Sequence, residues 1–189
     1  MARPREFDET QALAQARDLF WQQGYEATSL ADLLDAMGIS KSSFYETFGS
    51  KHALFLRALT QYQDQQATEL ETRLAIGPTA RAAIEALFRG VVACEQARGC
   101  MTCNEAVELG PRDPAVEAQV GSALADVETQ LTQTIERGQR EGSIGRVHDA
   151  ATLARLLSVA LSGLQVMLRA RTGRQHLDET VEIILKLLH

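Results

Sequence analysis

Apolar residues recur every three or four positions along nearly the whole chain, and glycine or proline interrupts the pattern at intervals. In the segment 115–141, Val116, Val120, Leu124 and Val127 step by four or three, which places them on one face of a helix. Valine, isoleucine and threonine never cluster into the alternating runs that strands require. The pattern therefore predicts an all-α fold of about nine helices.

The same spacing predicts where the helices begin and end. The first four span residues 7–23, 29–37, 41–48 and 51–75, with glycines following the first three. The other five span residues 78–98, 104–109, 115–141, 150–171 and 178–188, and Pro78 lies in the opening turn of its helix. The second half of the fourth helix carries few apolar residues, so we expect it to be mostly solvated.

Composition limits the class of protein. A chain of 189 residues that is 45% hydrophobic can bury a substantial core, and no run of about 18 apolar residues is long enough to cross a bilayer. The three cysteines are an odd number without an export signal, which favours reduced thiols over a disulfide framework. These features predict a cytoplasmic protein with no membrane partner.

The stretch "MGISKSSFYETFGSKHALF", residues 37–55, is polar on one side and aromatic on the other. Two short helices around a glycine turn, braced by a longer first helix, predict a tri-helical helix-turn-helix head. Hydroxyl and lysine side chains can bond base edges or phosphates, and helix starts present free amides. The candidate DNA-binding residues are Thr28, Ser40, Lys41, Ser42, Ser43, Tyr45 and Lys51. The alternative is a short surface helix that merely faces solvent.

The segment "GYEATSLADLLDAMGISKSSFYETFGSKHALF", residues 24–55, resembles the helix-turn-helix of the TetR family of transcriptional repressors. The shared elements are a glycine and aromatic after the first helix, Thr-Ser before the second, Gly-Ile-Ser at the turn, a tyrosine in the third, and Phe-x-x-Lys before the fourth. The resemblance implies a repressor that binds double-stranded operator DNA and is released by a small-molecule inducer. It also implies a homodimer through the last two helices.

On this basis residues 1–52 are expected to form the DNA-binding domain and residues 53–189 a ligand-binding and dimerisation domain. The helix at 150–171 has apolar residues on more than one side, which suits a dimer interface but also suits a central core helix.

The charge of the head is unusual for a DNA-binding unit. Residues 1–52 hold five Arg or Lys against eight Asp or Glu, a balance of −3 within a chain whose net charge is −6. Attraction to DNA must then come from local placement of Arg3, Arg5, Lys41 and Lys51, and non-specific affinity is expected to be modest. Glu46 also stands where the family often has a basic or neutral residue.

A ligand pocket is expected among the helices between Pro78 and Met167. Asn104 and Glu108, polar groups four residues apart beside an apolar helix, could orient a polar ligand atom, although helix capping or solvation is the alternative. The full candidate set is Phe88, Val91, Met101, Asn104, Glu108, Leu164 and Met167. The apolar members could equally be plain core.

Cys100 and Cys103 form a Cys-x-x-Cys motif, with Cys94 shortly before it. Three interpretations stay open: a metal site, which lacks a clear fourth ligand; a redox or electrophile sensor near a helix N-terminus; and inert packing. "GCMTCN" resembles a Gly-Cys-x-x-x-Asn segment in a subset of the TetR family, in which the position of Cys103 is usually apolar. This favours Cys100 as the functional thiol.

Catalysis has little support in the sequence. Phosphate-binding glycine loops and the His-Glu-x-x-His pattern are both missing, and none of the four histidines lies in a nucleophile motif. The chain is predicted not to be an enzyme and to carry no cofactor and no metal. The competing interpretation is a helical thiol-redox protein that uses Cys100 and Cys103.

Overall fold

The computed structural model describes residues 7–94 and 98–189. Within these ranges the chain forms nine α-helices and no strand, which confirms the all-α prediction. The helices are α1 (Glu9–Gln23), α2 (Leu30–Met37), α3 (Lys41–Phe48), α4 (Lys51–Ala75), α5 (Ala80–Ala93), α6 (Met101–Glu108), α7 (Pro114–Glu141), α8 (Ala150–Arg169) and α9 (Arg174–Lys186).

Local capping chemistry explains the boundaries of the short helices. The hydroxyl of Ser29 accepts from the Asp32 amide at 3.1 Å, and the Asp32 carboxylate accepts from the Ser29 amide at 2.9 Å. This reciprocal pair is the predicted capping box of α2, and such a cap typically contributes about 1 kcal/mol. Gly38 ends α2 in the left-handed conformation, at φ 62°, and the Ser40 hydroxyl caps α3.

Several predicted helix boundaries differ from those of the structure. α5 begins at Ala80 instead of residue 78, because the Thr79 hydroxyl takes the N-cap role by accepting from the Ala82 amide. It also ends at Ala93, before the predicted residue 98. α6 begins three residues earlier than predicted and α9 begins at Arg174, four residues earlier than predicted.

One hydrophobic cluster joins the head, which comprises α1 to α3, to part of the body, which comprises α4 to α9. Phe20, Phe44 and Phe55 are fully buried in it, which fixes α1, α3 and the start of α4 against one another. Met101 of α6 and Val116 of α7 belong to the same cluster. The head therefore does not have a core of its own: α6 and the beginning of α7 complete it.

A second cluster holds the rest of the body together and contains residues of the end of α4, α5, the later part of α7, α8 and α9. Leu70 and Leu74 of α4 are buried in it. The rest of the second half of α4, residues 63–75, is exposed or half-buried, which confirms the expectation that this half is mostly solvated; Leu70 and Leu74 are the exceptions. They lie one turn apart, on the side of α4 that meets the body, so two leucines are enough to dock a segment that is otherwise polar.

The last two helices carry much uncovered apolar surface. Within the described residues, α8 is the one helix that is long and apolar enough to span a membrane by length and composition, with a mean hydropathy of 1.5. Only 28% of that stretch is buried. The exposed large apolar side chains on α8, on α9 and at the C-cap of α9 are Leu156, Val159, Val166, Met167, Ile183 and Leu187.

Candidate functional site

The outward face of α3 is polar, because its two aromatic anchors point the other way. Phe44 and Phe48 are buried, whereas Lys41 and Ser42 are exposed and Tyr45 keeps 46% of its surface accessible. The Tyr45 ring meets Phe44 edge-to-face at 5.3 Å between ring centroids, which braces it without covering it. The face thus offers an ammonium and two hydroxyl groups to a partner.

The two remaining serines of this segment support the helix end. Ser40 accepts a hydrogen bond from the Ser43 amide at 3.1 Å, and the two hydroxyl oxygens are 2.9 Å apart. Ser40 is exposed and Ser43 is half-buried, so both can still accept or donate one further bond.

Thr28 and Lys51, the two remaining candidates, have partners inside the protein. Thr28 is fully buried and its hydroxyl donates to the Gly24 carbonyl at 2.6 Å, so its predicted role in contacting phosphate does not fit this position. It holds the turn between α1 and α2 instead. The Lys51 ammonium lies 4.2 Å from the centre of the Tyr25 ring and is half-buried at the start of α4. Arg3 and Arg5 lie outside the described residues.

A cavity of about 340 Å³ opens between α4, α5, α6, α7 and α8. Its apolar wall includes Leu70, Leu87, Val91 and Leu161. Its polar lining includes Tyr62, Gln63, Gln119, Gln130, Ser162 and Gln165. Cys100 and Cys103 both line it, so the two thiols of the Cys-x-x-Cys motif face the same cavity.

The surroundings of the two thiols make them chemically different. The neighbouring Cys103 thiol lowers the pKa of Cys100, opposed by desolvation, and the Cys103 amide and the Tyr62 hydroxyl lower it further. The same interaction raises the pKa of Cys103, and desolvation raises it again. Tyr62 is also buried, which raises the pKa of its phenol and keeps it a hydrogen-bond donor. Cys100 is therefore the more acidic thiol of the pair, and Cys103 the less acidic one.

The turn before α6 is held by hydrogen bonds from side chains of α1 and α6. The Trp21 indole of α1 donates to the Gly99 carbonyl at 3.0 Å, and the Asn104 amide of α6 donates to the Arg98 carbonyl at 3.2 Å. A methyl group on Gly99 would lie 2.9 Å from the Gln165 carbonyl oxygen of α8, so only glycine fits between these helices. This contact accounts for the glycine and the asparagine of the "GCMTCN" segment.

The other end of α6 touches the head directly. The Glu108 carboxylate accepts from the Glu26 backbone amide at 2.8 Å, in the turn that leads into α2. A few residues on, the Asp113 carboxylate lies 2.6 Å from the His52 ring nitrogen at the start of α4. The interaction with His52 lowers the pKa of Asp113. α6 thus connects the thiol cavity at its N-terminus to the helix-turn-helix at its C-terminus.

Glu105 lies between these two ends of α6 and is almost completely buried, at 1% exposure. Its Oε2 atom has no hydrogen-bond partner. Desolvation, helped by the nearby Glu108 charge and opposed by Arg169, raises the pKa of Glu105 to about 8.

Two family models match the chain and agree with this architecture. The model described as "Bacterial regulatory proteins, tetR family" matches residues 12–58, and that of the "Tetracyclin repressor-like, C-terminal domain" matches residues 78–184, more than half of the chain. The chain belongs to the TetR family. It is a helix-turn-helix transcriptional regulator, as the resemblance of residues 24–55 implied.

Individual relatives cover the full length of this TetR-family chain. ComR, a transcriptional repressor of Escherichia coli (strain K12), is 31% identical over 98% of this chain and 90% of its own. YezE, an uncharacterized regulator of Bacillus subtilis (strain 168), is 31% identical over the whole of both chains. A cysteine-substituted form of the TetR-family regulator CifR, solved with 26-base-pair operator DNA, is 33% identical over the whole of both chains, with a TM-score of 0.88.

The predicted ligand residues of this TetR-family body are scattered around the cavity. Val91 lines it, whereas Phe88, Met101 and Leu164 are buried in the hydrophobic clusters. Met167 is 44% exposed on the surface of α8. Asn104 and Glu108 hold the turn before α6 and the head, as described above. Helical spacing identified these residues as inward-facing, but it does not distinguish a cavity wall from a packed core.

The polar lining of the cavity was missed, in part because some of it comes from α4. Tyr62 and Gln63 come from this helix, which lies outside the predicted range between Pro78 and Met167. Glutamines in a polar helical segment usually indicate solvent exposure. The useful signal was Tyr62 in the apolar stripe of α4, directly beside Gln63.

Proposed function

We propose that this protein is a homodimeric repressor that binds operator DNA through α3 and is released when the cavity beside Cys100 is occupied or its thiols react. The observation that carries the proposal is the outward face of α3, where Lys41, Ser42 and Tyr45 are exposed in a TetR-family helix-turn-helix. The operator complex of CifR and the repressor name of ComR support it. Residues 1–52 are proposed as the DNA-binding domain and 53–189 as the domain for ligand binding and dimerisation.

DNA binding is tested by truncating the proposed contacts one at a time. We expect Lys41→Ala and Tyr45→Ala to weaken binding to DNA from upstream of the protein's own gene. The Lys41 change removes one proposed phosphate contact per subunit, so the slope of log affinity against log salt should fall by about 2 for a dimer. Arg140→Ala, which removes an exposed cation of α7 outside the proposed dimer interface, is the matched control and should change neither quantity. Equal binding by all three variants would refute the proposed surface.

The homodimer is proposed from the uncovered apolar side chains of α8 and α9. Val159 is 66% and Ile183 65% exposed, and a Cβ at Gly163 would meet no atom within 4 Å, so the face is open along its length. Contiguous apolar surface of this kind is typical of protein interfaces. A second copy related by a two-fold axis would cover it.

Sedimentation velocity measures whether substitutions in the proposed interface, and not substitutions of exposed apolar residues elsewhere, convert the dimer to monomer. Val159→Glu and Ile183→Glu should each convert the dimer to monomer, because a charge would be buried without a partner. Val147→Glu changes a side chain that is 80% exposed in the loop before α8 and should leave the dimer intact. A dimer that survives both α8 and α9 changes would exclude this interface.

Release is proposed to act through α6. A ligand in the cavity would press against the N-terminal turn of α6, while Glu108 at the other end bonds the turn that positions α2. Because Met101 and Leu109 of α6 are part of the head's core, a shift of α6 would move the head rather than slide past it. Glu108→Gln retains an acceptor for the Glu26 amide, whereas Glu108→Ala does not. Only the alanine change should therefore weaken the coupling between inducer and DNA.

A further inference from the structure

The Cys100 and Cys103 thiols meet three conditions for reaction with each other. Cys100 occupies the N-cap position of α6 and Cys103 the third helical position, so they are one turn apart. Residues three apart on a helix have Cβ atoms about 5–6 Å apart, and a small local adjustment reaches disulfide geometry. Both thiols line the same cavity, and neither is in a disulfide.

A hydrogen-bonded series of side chains also assigns different roles to the two sulfurs. Ser162 of α8 interacts with Cys103 and lowers its pKa, although burial and the Cys100 interaction raise it more. Tyr62 and Cys103 both stabilise the ionised form of Cys100 and lower its pKa. An ionised thiol is the nucleophile, and a protonated neighbour can follow as the second reactant.

We infer that organic hydroperoxides oxidise Cys100 and Cys103 to an internal disulfide, with Cys100 as the attacking thiolate and Cys103 as the resolving thiol. An alkylating electrophile would need only one thiol and would leave Cys103 without a part in the reaction. The apolar wall of the cavity, with Leu70, Leu87 and Leu161, suits a reagent that carries an organic body.

The disulfide forms in two steps, oxidation of Cys100 and then attack by Cys103. The Cys100 thiolate attacks the terminal oxygen of the hydroperoxide, the O–O bond breaks, and the alkoxide leaves and takes a proton to become the alcohol. The resulting Cys100 sulfenic acid is attacked by Cys103 sulfur, which loses its proton as the S–S bond forms and water leaves. Two thiols are oxidised by two electrons, and one hydroperoxide is reduced to an alcohol and water.

The disulfide would tighten the first turn of α6, whereas the preceding turn at Gly99 is held in place by its neighbours. Gly99 is already packed on α8 and bonded to Trp21, so displacement must pass along α6 toward Glu108. This regulatory consequence rests on the proposed repressor function, whereas the thiol chemistry itself does not.

The test uses the reduced full-length protein treated with cumene hydroperoxide in the absence of DNA. Trypsin cuts after Arg98 and Arg112, so Cys94 falls in one peptide while Cys100 and Cys103 share the peptide 99–112. We expect that shared peptide to become lighter by about 2 Da and to recover its mass with dithiothreitol. Cys94 should remain open to alkylation.

Three variants assign the roles. Cys103→Ser should stop at a sulfenic acid, about 16 Da heavier and trapped by dimedone, while Cys100→Ser should react at least about tenfold more slowly. Cys94→Ser should behave as the unaltered protein. A disulfide that includes Cys94, or equal rates for the Cys100 and Cys103 variants, would overturn the inference.

A second arm measures operator binding by the oxidised protein. Loss of binding that dithiothreitol restores supports the regulatory role. Disulfide formation with undiminished binding would overturn that role and leave the chemistry standing. Because the first arm contains no DNA, its failure is distinct from a failure of the repressor proposal.

Discussion

Glu105 makes the stability of this protein depend on pH in a direction opposite to that of most carboxylates. Its side chain is 1% exposed, Oε2 has no hydrogen-bond partner, and its pKa rises from an ordinary value of 4.5 to about 8. The folded protein therefore holds a proton that the unfolded chain has already released between these two pH values. Stability contributed by this group falls as pH rises through that window.

The magnitude follows from the size of the shift. Each pH unit inside the window changes the free energy of unfolding by about 1.4 kcal/mol, and the whole window by about 4 to 5 kcal/mol at most. Glu105→Gln is neutral at every pH and nearly the same size. We expect the variant to match the unaltered protein near pH 5 and to exceed its stability increasingly toward pH 8.

Urea unfolding at four pH values, at constant ionic strength and one protein concentration, measures this difference. Glu71→Gln, an exposed position on α4, is the control and should differ from the unaltered protein by the same small amount at every pH. Parallel curves for the Glu105 variant and the unaltered protein would show that the carboxylate is ionised and solvated, which would refute the reasoning.

Three further changes test other parts of the structure. Gly24→Ala should lower the free energy of unfolding in urea by about 1–3 kcal/mol, because φ 89° and ψ 167° suit only glycine. The added methyl group would also clash with the Glu108 carboxylate, so the loss should be smaller in a Glu108→Ala background. Glu46→Gln should raise DNA affinity in fluorescence anisotropy, since an exposed negative charge leaves the α3 face; unchanged affinity would place Glu46 away from phosphate. Trp21 is the only tryptophan, so alkylation of Cys100 should change its emission, and a silent Trp21 would contradict the described contact with the turn before α6.

Local signals were sufficient to predict the helix-turn-helix. Ser29 with Asp32, Gly38 and Ser40 set the ends of α2 and α3 through bonds between neighbours in the sequence. The apolar spacing of Leu33 and Phe44 then fixed which side faces inward. Each of these features depends on contacts between residues that are close in the sequence, so the sequence alone is enough to predict them.

The thiol cavity could be predicted only in part, because it depends on contacts between distant segments. The Cys-x-x-Cys motif pointed to Cys100, but the Tyr62 hydroxyl that stabilises its thiolate comes from a helix some forty positions earlier. Thr28 was misassigned for a similar reason. A threonine before a helix looks exposed in the sequence, whereas the turn at Gly24 folds its hydroxyl inward.

The architecture also explains why α6 is the element through which the cavity can reach DNA. A head with an independent core would be insulated from the body, because rigid units joined only by a linker transmit little strain. Here the head's core is completed by Met101, the first residue of α6, and by Leu109, the C-cap residue at its other end. Any reaction at Cys100 alters the helix end next to Met101, which is fully buried in that shared core. The buried carboxyl group of Glu105, in the middle of α6, lowers the stability of this packed state at neutral pH. A rearrangement of α6 therefore requires less free energy than it would with an apolar residue at this position.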